Sequence, residues 1–321
     1  MQIFDLHNDA LLELPEDELL KYLQQIQTDG VKQICLSVWT TEIGKCKIAD
    51  AKLADCEITD PMTVIKTKRR FLDSIKVCAG INELANVENR ANIKEFGNVE
   101  NRTAIPQCMP QCFLHIEDAH FLTPQNIDEF ISLKPVTVGL SWNDENALVG
   151  GANSNAGITR WGYEAIKKLE DAGIQIDTAH LNRQSFWQFA AITTKPILCT
   201  HTCFDAVHPH QRNLTDEQIM AVIKSGGLIG LTFVRQFLCS DTISCSSYDI
   251  TNHILHYLTI DPNGEHLAIG TDYYGTNPVK GIETYADFSN LINALKQRGV
   301  RNEIIQKILY KNAHRFFNVW H

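Results

Sequence analysis

The chain has 321 residues, 44% of them hydrophobic and 21% charged, an ordinary balance for a globular protein with a sizeable core. Its formal net charge of -9, with no sustained basic run, argues against nucleic acid as a partner. No apolar stretch approaches bilayer-spanning length, and the first residues enter a strand without a basic leader or cleavable apolar segment, so no membrane partner and a cytoplasmic location are expected.

In chain order, Ile3 to His7 reads as the first strand and a helix follows from about Pro15, with Glu16, Asp17 and Glu18 at its positive end. Gln33 to Val38 is the second strand. A divergent insertion then runs from about 40 to 110, with a helix expected from Asp60 to Ile75 and a short duplication, Asn86–Arg90 echoed by Asn98–Arg102, read as solvated surface. The later strands are Cys112–Glu117, Pro135–Leu140, Ile174–Asp177, Ile197–Thr200, Leu228–Leu231 and Leu267–Ile269.

Helical segments fall between these strands at about Pro124–Leu133, Thr159–Ala172, Asn182–Ile192, Thr215–Ser225, Tyr248–Leu258 and Glu283–Gln297, and Asn302–Phe316 closes the chain. Gly173, Gly226 and Gly299 stand where helix C-termini want them. This alternation predicts an α/β fold, a TIM-type (β/α)8 barrel with a helical insertion after the second strand and a C-terminal helix, residues 1–321 forming one barrel domain on which the insertion at about 40–110 packs. An open doubly wound sheet is the alternative, and no Gly-rich phosphate loop follows an early strand to favour it.

In a barrel the C-terminal strand ends share one face, where chemistry collects. Those ends carry His7 and Asp9, Glu117, His180, His201 and Asp272, three histidines and three carboxylates that are not neighbours in sequence. On an extended chain His7 and Asp9 leave the strand on the same face. Singly, such residues often satisfy a carbonyl or cap a helix; together they read as a metal site.

A histidine and carboxylate set without a required thiolate suits zinc, or manganese or cobalt less tightly. Six groups exceed the need of one catalytic zinc, so two metals sharing a carboxylate is the economical arrangement. Cations roughly 3.5 to 4 Å apart would hold a hydroxide between them and polarise a carbonyl. Glu117 is the expected bridge, and Asp272 the group that orients the hydroxide and carries its proton to the leaving amine. The ten cysteines are dispersed. The C-x3-C pairs Cys108/Cys112 and Cys199/Cys203 lie in or near apolar strands and read as core thiols rather than a zinc site.

These residues carry a resemblance. Asp5-Leu-His7-Asn-Asp9, Gly30-Val-Lys-Gln33, Ile116-Glu117-Asp-Ala-His120, Asp177-Thr-Ala-His180, Thr200-His201-Thr, His210-Gln-Arg212-Asn-Leu-Thr-Asp216, Gly270-Thr-Asp272-Tyr-Tyr-Gly275 and Ile308-Leu-Tyr-Lys-Asn312, in this order, resemble the membrane (renal) dipeptidase family of zinc peptidases in the amidohydrolase superfamily. The match runs from first strand to last helix and is patchy between Thr40 and Pro110.

The resemblance implies a binuclear zinc dipeptidase acting on short peptides, L,D ones included, with two Zn2+ per chain. His7 and Asp9 would bind one ion, His180 and His201 the other, and Glu117 would bridge; Asp272 matches the catalytic aspartate. Arg212 matches the arginine that pairs with the substrate carboxylate, a role suited to its planar fork of donors; on sequence alone it reads equally as a surface cation near the next helix. Exposed outer helix faces are compatible with a homodimer, as relatives form.

The chain departs from the family pattern at Trp142, which stands where a histidine contacts the substrate carbonyl; an indole offers one donor and cannot become cationic. Either ordinary dipeptides are then turned over more slowly or Asn143 is a substitute donor at the substrate. Alternative functions are a related amide, lactam or lactone hydrolase and a weakly active metal-binding barrel. His115 shares the inward parity of Glu117 and is expected one layer below the metals, His120 in a supporting role, His208 and His210 on a loop bordering the substrate, and Trp39 either at the pocket wall or in the core.

Overall fold

The architecture comes from a computed structural model that describes residues 1–39, 60–80 and 109–318. Eight parallel strands close in chain order into a barrel: β1 (Ile3–Asn8), β2 (Val31–Trp39), β3 (Gln111–Glu117), β4 (Thr137–Gly139), β5 (Gln175–Asp177), β6 (Leu198–Thr202), β7 (Leu228–Leu231) and β8 (Leu267–Ile269). Each connection is helical. α1 (Ala10–Glu13) and α2 (Glu16–Asp29) follow β1, α3 (Pro61–Gly80) precedes β3, and α4 (Ile127–Ser132), α5 (Arg160–Asp171), α6 (Arg183–Ile192) and α7 (Asp216–Lys224) follow one strand each. α8 (Arg235–Leu238) and α9 (Ser247–Ile260) lead to β8; α10 (Phe288–Gln297), α11 (Asn302–Gln306) and α12 (Asn312–Asn318) finish the chain. The expected TIM-type barrel is therefore the observed fold.

The helices begin and end for identifiable reasons. α2 carries Glu16, Asp17 and Glu18 in its first turn, buries Leu19, Leu23 and Ile26 along one face, and stops at Gly30, whose φ of 112° a residue with a Cβ rarely adopts. Capping boxes start α7 (Thr215 with Gln218) and α9 (Ser246 with Asp249), devices worth about 1 kcal/mol each. Gly173, Gly226 and Gly299 all have positive φ, as their positions after helices predict.

Along β3, Phe113, His115 and Glu117 alternate onto the barrel interior. Phe113 belongs to an apolar floor with Phe4, Leu6, Leu198, Leu228 and Phe317. The Phe317 ring, from α12, lies 5.7 Å from Phe113 and 5.2 Å from Phe4. The C-terminal helix thus plugs the lower end of the barrel and leaves the other end for chemistry. Above the floor His115 is wholly buried, its Nδ1 2.6 Å from Thr137 Oγ1, the interior role expected of it.

Several boundaries differ from the sequence reading. β1 extends to Asn8 and β2 runs Val31–Trp39, longer than expected, because the added ends pair with neighbouring strands, Asn8 with Leu36, Val31 with Ile3 and Trp39 with Glu117. The segment expected as one last helix is α11, a π-turn at Lys307–Lys311 and α12. The duplicated Asn-Val-Glu-Asn-Arg stretches and Cys108 lie outside the described residues. Cys112, Cys199 and Cys203 are buried, and burial pushes the thiols of Cys199 and Cys203 up from the usual range. Among the described residues no helix is long and apolar enough to cross a membrane.

Candidate functional site

Parallel strands deliver the predicted residues to one rim. His7 leaves β1, Glu117 ends β3, His201 lies in β6, and His180 and Asp272 follow β5 and β8. Asp9 is not an extended residue sharing a strand face with His7; it sits in the turn that caps α1 (φ −93°, ψ 5°), after a register irregularity in β1 between Asp5 and Asn8. The turn still brings His7 Nε2 to 3.5 Å from Asp9 Oδ2.

Glu117 is the centre of the cluster. Its Oε1 lies 2.6 Å from His180 Nε2 and 3.6 Å from His201 Nε2, while its Oε2 lies 3.7 Å from His7 Nε2. Donor atoms of His7, Glu117 and His201, and of His7, Asp9 and Asp272, fall within 4.8 Å of one another in each set. All five metal-ligand candidates are buried.

Such crowding is electrostatically uneven. Burial opposes a charge on His7, but the Asp9 and Glu117 carboxylates outweigh it and lift His7 from 6.5 to about 10. Burial likewise opposes ionised Glu117, yet His7 and His180 hold it down at about 2. His180 is lowered to about 4 by burial and the Arg212 cation, and burial with His7 takes His201 well below its usual range. Burial raises Asp272 well above the usual carboxylate range against the pull of His7, with Asp9 and Glu117 adding to the rise.

The donor set fits a cation. His180 Nδ1 is 3.1 Å from Asn143 Oδ1 and His201 Nδ1 is 2.9 Å from Thr200 Oγ1. If these outer nitrogens donate, the Nε2 lone pairs confront each other at 2.9 Å beside a carboxylate oxygen, which only a shared proton or a cation relieves. Asp9 Oδ1 is buried without a hydrogen-bond partner among the described residues. Imidazoles and carboxylates without thiolate suit zinc, manganese or cobalt.

Around this centre the other predicted residues take definite places. Asn143 Oδ1 lies 3.1 Å from His180 Nδ1. The Trp142 ring lies 6.1 Å from His180 and 5.1 Å from Trp39, and the β2–β3 register sets Trp39 beside Glu117, so the two indoles form one wall. Arg212 is buried, its guanidinium 5.3 Å over Phe237 of α8, with Nε and Nη1 lacking partners among the described residues. The Arg212 backbone N–H donates to His210 Nδ1 at 3.1 Å, and His210 packs on Phe237 at 4.6 Å. His120 pairs with Asp118, outside the donor cluster.

Some of what shapes the site was not singled out in the sequence reading. Asp5 and Asp177 are buried and accept hydrogen bonds from Thr271 and Thr200, the residues just before Asp272 and His201. The available signal was the pairing of Asp-Leu-His and Asp-Thr-Ala-His with Thr-Asp and Thr-His. Gly275 was quoted for its motif only, yet a Cβ there would lie 2.2 Å from Asp9 Oδ2 and 2.3 Å from Asp272 Oδ1. Asp272 itself has a φ of 63°, a left-handed conformation that aspartate tolerates better than most residues.

The family model for membrane dipeptidase, peptidase family M19, matches residues 1–320. The chain is 32% identical over 219 residues to the uncharacterized protein in the pqqA 5′ region of Klebsiella pneumoniae, spanning 64% of this chain and 81% of that one. It is 25% identical over 183 residues to dipeptidase tcpJ of Claviceps purpurea, spanning 56% of this chain and 43% of the relative. Among solved structures, a metallo peptidase from Rhodobacter sphaeroides, liganded with a phosphinate mimic of the dipeptide L-Ala-D-Ala, superposes with a TM-score of 0.71 at 18% identity, covering 99% of each chain. With the family match spanning nearly the whole barrel, the chain belongs to the membrane dipeptidase family, peptidase family M19, and is a metal-dependent hydrolase.

Proposed function

We propose that this protein hydrolyses the peptide bond of dipeptides, L,D ones included, using two zinc ions per chain. The observation that carries the reading is the division of Glu117: one carboxylate oxygen faces His180 and His201, the other faces His7. His7 and Asp9 would hold one ion and His180 and His201 the other, with a carboxylate oxygen of Glu117 facing each side. When bound, such ions polarise a carbonyl and lower the pKa of a coordinated water. The bound dipeptide mimic in the Rhodobacter sphaeroides relative supports the substrate class.

The chain's own residues supply the rest. Asp272, whose carboxylate lies within 4.8 Å of the donor atoms of His7 and Asp9 and is raised by burial, takes up the proton of the attacking water and passes it to the leaving amine. Arg212 offers unpartnered donors from a buried guanidinium, matched to a substrate carboxylate. The Trp39 and Trp142 wall excludes water beside His180. Zinc-loaded protein should release amino acids from members of an L,L and L,D dipeptide panel. Glu117→Gln and Asp272→Asn should each abolish most of that turnover, Asp272→Asn with metal retained. No turnover across the panel at full metal occupancy refutes the reading.

Trp142 favours a second reading, the same chemistry on another amide, a lactam or a lactone, because an aromatic wall replaces the polar contact of the family pattern. Trp142→His discriminates: a gain in dipeptide turnover supports a divergent substrate, and no gain removes the main support for one.

A further inference from the structure

The two sides of the cluster are held by the same device, used twice. On β1, Asp5 Oδ1 accepts the Thr271 N–H at 2.8 Å and the His7 N–H at 3.3 Å, and its Oδ2 accepts the Thr271 hydroxyl at 2.6 Å. On β5, Asp177 Oδ1 accepts the Thr200 N–H at 2.8 Å and the Ala179 N–H at 3.1 Å, and its Oδ2 accepts the Thr200 hydroxyl at 2.5 Å. Each aspartate therefore grips a threonine after or within the neighbouring strand, β8 or β6, and also the N–H two residues along its own chain.

What each grip orients is different. Thr271 immediately precedes Asp272, whose N–H donates to the His7 carbonyl at 3.1 Å, so the first grip fixes His7 against Asp272 and sustains the left-handed backbone at Asp272. Thr200 immediately precedes His201, and Asp177 lies three residues before His180, so the second fixes the two histidines that face each other across 2.9 Å. The Thr200 hydroxyl, donating to Asp177, remains free to accept from His201 Nδ1 at 2.9 Å, which turns the Nε2 lone pair inward. No residue belongs to both grips. Gly230 and Gly270 further confirm how tightly the second is seated, since a Cβ on either would lie 1.8 Å from the Thr200 carbonyl oxygen.

Resting on the two-ion reading above, we propose that Asp5–Thr271 and Asp177–Thr200 are separate latches, each positioning one half of the metal site: the first the ion of His7 and Asp9, the second the ion of His180 and His201. Asp5, Asp177, Thr200 and Thr271 are positioning residues; they act through the ligands they hold. Loss of one hydroxyl leaves the barrel intact but loosens one pair of ligands, which weakens metal affinity ten- to hundredfold, as loss of outer hydrogen bonds to ligands does elsewhere.

The test is zinc content and affinity, by elemental analysis and calorimetric titration, in the wild-type protein and in Thr271→Val, Thr200→Val and the corresponding serine variants. Valine keeps the shape and removes the hydroxyl; serine keeps the hydroxyl. Each valine variant is expected to keep wild-type affinity for one ion and to bind the other ten- to hundredfold more weakly, and each serine variant to restore both. Pairing with Asp9→Asn identifies the half: Thr200→Val in that background weakens the remaining ion by that factor, and Thr271→Val does not. Equal weakening of both ions in either single valine variant, or of neither, overturns the proposal. Wild-type protein that binds fewer than two ions overturns the two-ion reading itself, and with it the pairing of latches to ions. Melting curves of the metal-free variants, expected to stay cooperative, separate a local loosening from failure to fold.

Discussion

Gly275 gives the sharpest mutational test of the site's geometry. Its backbone is not left-handed, so alanine meets no conformational barrier there, and the whole cost is steric. The new methyl carbon would lie 2.2 Å from Asp9 Oδ2 and 2.3 Å from Asp272 Oδ1, where ordinary contact begins at 3.4 Å, so both carboxylates must retreat by about 1 Å. A displacement of that size at a reacting centre costs on the order of a hundredfold in rate, while overpacking costs about 1–3 kcal/mol of stability if the loop cannot relax. Gly275→Ala should therefore lower kcat/KM on the best dipeptide by about a hundredfold and weaken zinc binding, with an unchanged circular dichroism spectrum. Wild-type turnover and metal affinity in Gly275→Ala would refute the placement of Asp9 and Asp272 at the reacting centre.

Arg212→Met keeps the length of a side chain buried over Phe237 but removes its donors, so KM for dipeptides should rise about tenfold or more; C-terminally amidated dipeptides, lacking the carboxylate, should respond little, and equal losses on both would contradict the assigned role. The metal-free protein should melt highest near neutral pH. His7 is raised to about 10, so its contribution is complete below 6.5 and is lost as pH rises toward 10; His180 is lowered to about 4, so stability also declines as pH falls from 6.5 toward 4. Zinc should flatten the alkaline arm, because the cation replaces the His7 proton, and thermal melts across pH with and without metal check this. Phe317→Ala removes the plug between Phe4 and Phe113 and should cost about 3–5 kcal/mol in denaturant unfolding, with kcat of the folded fraction unchanged.

The barrel was legible because its strands are short apolar runs separated by helical periodicity, a pattern that local chemistry alone produces. The polar cluster was legible because a parallel barrel turns strand order into a common rim: His7, Glu117, His180, His201 and Asp272 needed no structure to be grouped. What escaped was whatever depends on bends in the backbone. The turn at Asp9 and the irregularity in β1 break the two-residue alternation that the sequence argument assumed. The pairing of Asn143 with His180, the grip of Asp5 on Thr271 and the close approach at Gly275 are contacts between elements far apart in sequence, and composition carries no record of them. Trp142 was legible as a departure, while its packing on Trp39 depended on strand register.

The central claim is a divided site in which Glu117 joins two ions, and a stepwise zinc titration of metal-free protein, with dipeptide hydrolysis followed at each addition, tests it most directly. The account predicts turnover that reaches its plateau only at two equivalents of zinc per chain and a Glu117→Gln variant that stays inactive at any equivalence. Full activity at one equivalent, or no hydrolysis of any dipeptide with two bound, would contradict it.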